Sequence, residues 1–165
     1  MNGTEAIQAA LGGTQFVLKW FLSDLSDADL LVRPVPGANH AAWQVGNVIA
    51  GDVFIVRSAV PDAAYPELPA GFAEAHGSEA TAVDGPGNGF LTKDAYLKLF
   101  DEVRGATIAA VGKLSDADLD RPVEGNLAKF APTLGRLFLL VSNHTLLHAG
   151  QFTVIRRKLG KPVLF

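Results

Sequence analysis

The side chains that could do chemistry in this chain are few. There are four histidines, His40, His76, His144 and His148, and no cysteine. Without a thiol of its own the chain has no disulfide framework, no thiolate nucleophile and no Cys-ligated zinc or iron–sulfur centre, so thiol chemistry would have to use a thiol brought by a substrate. No Gly-x-Ser-x-Gly stretch supplies a serine nucleophile. His144 and His148 stand out by their spacing. Residues four apart share one helix face with Cβ atoms about 5–6 Å apart, and two inward imidazoles placed so can hold one metal ion. Two readings of the pair are open at this level: metal ligands, or hydrogen-bonded histidines of a core or groove. Thr145 rather than Glu follows His144, which removes the metalloprotease pattern, and no acidic residue follows Glu124, which removes the di-iron carboxylate bundle. His76, in Glu74-Ala75-His76-Gly77, reads as a solvated loop residue.

The elements that must position these groups are legible from periodicity. Four stretches repeat apolar residues at steps of three and four, as one helix face requires. The first carries Ile7, Leu11, Leu18, Phe21 and Leu25. The second runs from about His40 to Val60 and is apolar on more than one side, which places it deep in the core; its β-branched run Val53 to Val56 continues the helical pattern from Trp43. The third holds Tyr96, Phe100, Val103, Thr107, Ala110 and Leu114, and the fourth runs from Leu134 through Thr145 and His148 to Leu159. Between the second and third lies a crossover, roughly 61–91, rich in Pro and Gly. Its run Gly85-Pro86-Gly87-Asn88-Gly89 lacks the preceding strand and following Gly-Lys-Ser/Thr of a phosphate loop. Leu25-Ser26-Asp27-Ala28-Asp29-Leu30 recurs as Leu114-Ser115-Asp116-Ala117-Asp118-Leu119, each soon followed by Arg-Pro-Val, with Ser26 and Ser115 placed as caps. The expectation is an all-α, four-helix bundle of two related helix hairpins joined by a long crossover loop, one domain over 1–165.

Composition bounds the partners. With 48% hydrophobic residues in 165 the chain can bury a sizeable core, and Lys+Arg 14 against Asp+Glu 17 gives a net charge of -3, which is not the footprint of a nucleic-acid binder. Arg156, Arg157 and Lys158 read as complements to a helix C-terminus rather than as an anion site. The first residues lack a basic stretch and apolar run, and no segment approaches ~20 uninterrupted apolar residues, so no membrane partner is expected and a cytoplasmic location is. Trp20 and Trp43 read as core or pocket wall.

A four-helix chain of this length with Trp43-Gln44-Val45-Gly46 on its second helix, a long crossover, the repeated connector and Asn143-His144-Thr145-Leu146-Leu147-His148-Ala149-Gly150-Gln151 on its fourth resembles the DinB-like (DinB/YfiT) superfamily. The resemblance implies a four-helix bundle, often homodimeric, that holds a divalent metal such as zinc or nickel on three histidines, two from helix four and one directly after the Gly of the Trp-x-x-Gly segment. Carried over, these are His144, His148 and position 47, where this chain has Asn47, a neutral amide that is a weaker ligand than imidazole. His40, seven residues earlier, is about 10.5 Å away along a helix axis, and reaches the site only if the helix starts later. Asp52 is the other nearby acid and reads as a surface or supporting carboxylate. The resemblance implies a metal-dependent transferase or hydrolase using a low-molecular-weight thiol on a small-molecule substrate. The alternative is a non-catalytic bundle for small-molecule binding or dimerisation that has lost the third ligand. Apolar residues around most of helix four, Leu137 to Val141 and Leu146-Leu147, are expected to cover a homodimer partner.

Overall fold

The computed structural model describes residues 1–78 and 89–164, so all of the Gly-Pro-Gly run except Gly89 lies outside the described residues. Helices form where the four seams predict them. The long ones are α1 (Gly3–Leu22), α3 (Ala41–Ala59), α5 (Lys93–Gly112) and α6 (Leu134–Lys158), with single turns α2 (Asp27–Leu30) and α4 (Phe72–Ala75) and two 3₁₀ turns at Asp116–Asp120 and Gly125–Lys129. Among the described residues the only sheet-like pairing is one antiparallel bridge, Pro122 with Thr133. The run Val53 to Val56 is helical, within α3.

Local chemistry sets the starts of these elements. Asn2 caps α1 and exchanges hydrogen bonds with Glu5, filling donors that the first helical turn leaves without a carbonyl. The repeated connector behaves alike in both copies: Ser26 with Asp29, and Ser115 with Asp118, form the same reciprocal cap, which starts α2 in one case and the first 3₁₀ turn in the other. At the far end of α6 the basic last turn stands as expected. Arg156 does more than face the dipole, because it is buried and donates Nη2 to Asp24 Oδ2 at 3.0 Å and Nη1 to the Phe21 carbonyl at 2.8 Å, tying α6 to the end of α1.

The long helices pack in a ring, α1 against α5 and α6, and α3 against α5 and α6. Each half of the chain, which the repeat leads one to read as a hairpin, therefore has its two helices across a diagonal rather than side by side. The reason is reach. The connections over 23–40 and 113–133 are far longer than the few residues that hold antiparallel neighbours together.

Two apolar clusters fill the bundle. One gathers Leu18, Phe21, Ile49, Phe100, Phe152 and their neighbours, the other Ile7, Leu11, Val56, Val111, Leu137 and Phe138. At the level between them each long helix interrupts its seam with a polar residue: Thr14 on α1, Asp52 on α3, Arg104 and Thr107 on α5, Thr145 on α6. Arg104 and Asp52 are both fully buried and pair bidentately, Nε to Oδ2 at 2.8 Å and Nη2 to Oδ1 at 3.0 Å. The remaining guanidinium protons go to the Leu11 carbonyl, Thr14 Oγ1 and Thr145 Oγ1 at 3.3, 3.1 and 2.7 Å. Asp52 is thus a core ion-pair partner, not a surface acid. Removing one partner from such a pair leaves a buried charge uncompensated. Arg104→Met is expected to lose about 3–5 kcal/mol in urea unfolding, and adding Asp52→Leu to restore a large part of it. A cost below about 1 kcal/mol for the single change would contradict this description of the core.

Candidate functional site

The two histidines of α6 face the N-terminal half of α3. Their rings meet edge to face with centroids 4.8 Å apart, and the two Nε2 atoms approach to 3.1 Å. One residue of α3 decides which nitrogen of His148 carries its proton. The Gln44 amide donates Nε2 to the Asn39 carbonyl at 2.8 Å, which turns Oε1 towards His148 Nδ1 at 3.3 Å, so His148 donates from Nδ1 and keeps a lone pair on Nε2. His144 then donates from Nε2 to that lone pair. Its own Nδ1 is buried with no hydrogen-bond partner, against α3 at Gly51, where an added Cβ would come within 3.0 Å of the ring. Trp43 closes the other side, its ring 6.1 Å from that of His148.

Asn47 lies one helical turn on from Trp43. Its Nδ2 donates one proton to the His76 carbonyl at 2.8 Å, which leaves the amide oxygen and the second Nδ2 proton free to engage a ligand. Beside it opens a cleft of about 620 Å³, walled by Asn47, Gly51, Phe54 and Ile55 of α3, by Ala73 and His76 to Ser78, by Leu127 and by His144. Of the histidine pair, His144 borders this cleft.

His76 is not the solvated loop residue that its neighbours in sequence suggest. It is fully buried. Its Nδ1 donates to the Phe72 carbonyl at 2.7 Å and its Nε2 accepts from the Tyr96 hydroxyl at 2.6 Å, so both ring nitrogens are committed. The ring rests on α3 at Gly46, where any Cβ would run into it, and the chain that follows is held by Trp43 Nε1 donating to the Gly77 carbonyl at 3.1 Å. The Trp-x-x-Gly segment thus has a local physical meaning: Trp43, Gly46 and Asn47 together dock residues 76–77 as one wall of the cleft. His40 caps α3, its Nδ1 accepting from the Trp43 N–H at 3.1 Å and its ring edge-on to Phe90. Among the described residues no group of three or more His, Asp or Glu side chains converges as a metal cage.

With this geometry in view, the family comparison is decisive: the model of the DinB superfamily matches residues 10–152. The chain belongs to the DinB superfamily. Searches of curated proteins and of solved structures give no match. What this DinB-superfamily chain brings together is a pair of imidazole nitrogens, short of a three-residue metal cage among the described residues. Two Nε2 atoms converge at 3.1 Å, and His148 donates its other ring proton to a fixed acceptor, as ligating histidines do. His144 lacks that support, and the third position offers an amide oxygen.

Burial decides the charge state of the pair. It pushes His148 down to about 4, helped by the neighbouring His144, and it also lowers His144, with Arg104 adding to the effect. A folded pKa below the ordinary 6.5 means that the unfolded chain takes up the proton first, so this contribution to stability is whole above about 6.5 and is lost as pH falls towards 4. Asp52, which burial raises to about 6 despite the guanidinium beside it, acts in the opposite sense over the acid range, and comparison with a variant cancels it. The stability difference between the natural chain and His148→Gln should therefore shrink as pH drops from 7 to 4.5 in urea melts. A difference that stays flat would refute the neutral, buried pair.

Proposed function

We propose that this chain is a small-molecule-binding protein of the DinB superfamily whose cleft holds a divalent metal, zinc or nickel, on His144 and His148, and that it works as a metal-dependent transferase or hydrolase using a low-molecular-weight thiol. The observation that carries the reading is the 3.1 Å approach of the two Nε2 atoms with Gln44 fixing the His148 tautomer. Asn47 adds a neutral oxygen donor at the same edge. When bound, such an ion supplies Lewis acidity that lowers the pKa of a coordinated thiol or water. The rest falls to the chain's own groups. Gln44 and the Asn39 carbonyl behind it hold the His148 ring in the orientation that turns Nε2 to His144, Leu127 narrows the access of water, and Asn47 orients a polar group of the substrate.

A second reading, a non-catalytic binding cleft, draws support from His144: its Nδ1 has no acceptor for the proton it would have to carry as a metal ligand. Metal content separates the two. Mass spectrometry of untagged protein is expected to find near-stoichiometric zinc or nickel that disappears in His144→Ala. No metal, with a melting temperature indifferent to chelator, would overturn the metal reading in favour of the second.

The homodimer is part of the same proposal. Leu139, Leu146, Leu147 and Val154 lie exposed along one stripe of α6, and Gly150 between them leaves room for close approach. Sedimentation equilibrium should give twice the chain mass. The single-chain mass at every concentration would contradict it. Among the described residues no helix is long and apolar enough to cross a membrane.

A further inference from the structure

We infer that the cleft beside His144 is built for an uncharged, largely apolar small molecule with few polar groups, and that it rejects carboxylates and phosphates. The inference rests on the proposed binding role of this cleft and names its ligand class.

Three observations carry it. First, the described walls hold no net charge. Among the described residues that line the cleft there is no Asp, Glu, Lys or Arg, and Phe54 stands 69% exposed as an apolar rim. A volume of about 620 Å³ suits a compact organic ligand. Second, the charges just behind the wall cancel, because Arg104 and Asp52 are buried in a bidentate pair. The histidine pair adds none either. Its Nε2–Nε2 hydrogen bond needs one bare nitrogen, and His144 Nδ1 faces no acceptor that would hold a further proton. Third, the polar groups left to a ligand are few and neutral. Asn47 gives one Nδ2 proton to the His76 carbonyl and keeps its oxygen and its other Nδ2 proton, while both ring nitrogens of His76 are committed. Ser78, at the exposed rim, carries the one hydroxyl among the described lining residues. A carboxylate entering here loses its water and meets no counter-charge among the described wall residues. A neutral molecule with a single O–H or S–H is spared that cost.

The test is an NMR titration of chelator-treated, isotope-labelled protein at pH 7.5 with two probes of one shape, phenylmethanethiol and 4-(mercaptomethyl)benzoate. The neutral probe should shift the Asn47 side-chain amide and the Leu127 methyl groups and bind about tenfold or more tighter than the carboxylate, since an unpaired anion is costly to desolvate. Leu127→Lys, which puts a cation on the wall, should reverse the preference. Equal or tighter binding of the carboxylate by the natural chain, or no shift in the cleft with either probe, would overturn the inference. Because no metal is present, the result stands apart from the metal reading. Selective binding by a protein that never takes up zinc would leave the inference intact and sink the metal site, and a zinc-loaded protein indifferent to probe charge would do the reverse.

Discussion

At mid-height of the bundle a single guanidinium makes contact with all four long helices. Arg104 belongs to α5, pairs with Asp52 of α3, donates to the Leu11 carbonyl and Thr14 of α1, and donates to Thr145 of α6. A charge with so many donors cannot sit in an apolar interior unless every donor is met, and here the arrangement that meets them is one particular register of the four helices. Apolar packing alone tolerates small slides of one helix along another. This layer does not, because a slide of one residue would strand a buried donor or the Asp52 carboxylate.

The site inherits its geometry from that layer. Thr145, which accepts from Arg104, is the residue between His144 and the rest of α6's inward face, and Asp52 adjoins Gly51, the point where α3 lets the His144 ring come close. Fixing Thr145 and Asp52 on one guanidinium therefore fixes the distance between the histidine pair and the N-terminal half of α3, where Gln44 and Asn47 stand. Tyr65 of the crossover joins the same layer through Thr107, its hydroxyl 2.8 Å from Thr107 Oγ1. A second anchor, His76 seated between Gly46 and Tyr96, holds the crossover wall against α3.

Much of this was legible in the sequence, for physical reasons. The four long helices announce themselves because burial of one face imposes a period that survives in the residues, and the two connectors do so because a Ser three residues before an Asp is a self-contained cap. Thr107 and Thr145 already stood on the apolar seams, and the spacing of His144 and His148 brought them together as expected. What stayed hidden depends on distant partners. Nothing near His76 in sequence says that it is buried; the hint lay thirty residues away, in a glycine inside the apolar stretch of α3 that makes sense only if something presses against it. Arg104 falls on the α5 seam, three residues before Thr107, and a cation there together with Asp52 on the buried helix was the available sign of an ion pair. The diagonal placement of consecutive helices follows from connection lengths, whereas the repeat suggested adjacency. Gln44 gives no sign at all of its part in setting a tautomer, because that depends on the Asn39 carbonyl behind it.

Behind the cleft runs an ordered line of polar groups, from Asn39 through Gln44 and His148 to His144, and its last member borders the cleft. That line is the basis for reading the pair as a metal-ready half-site in a protein of the DinB superfamily. The most direct test is the imidazole ¹⁵N spectrum of the labelled protein before and after one equivalent of zinc. Without metal, His148 should carry its proton on Nδ1 and His144 on Nε2; with zinc, His144 should give up its Nε2 proton and carry one on Nδ1, while His148 keeps its proton on Nδ1. A His148 protonated on Nε2, or a spectrum that zinc leaves unchanged, would contradict the account.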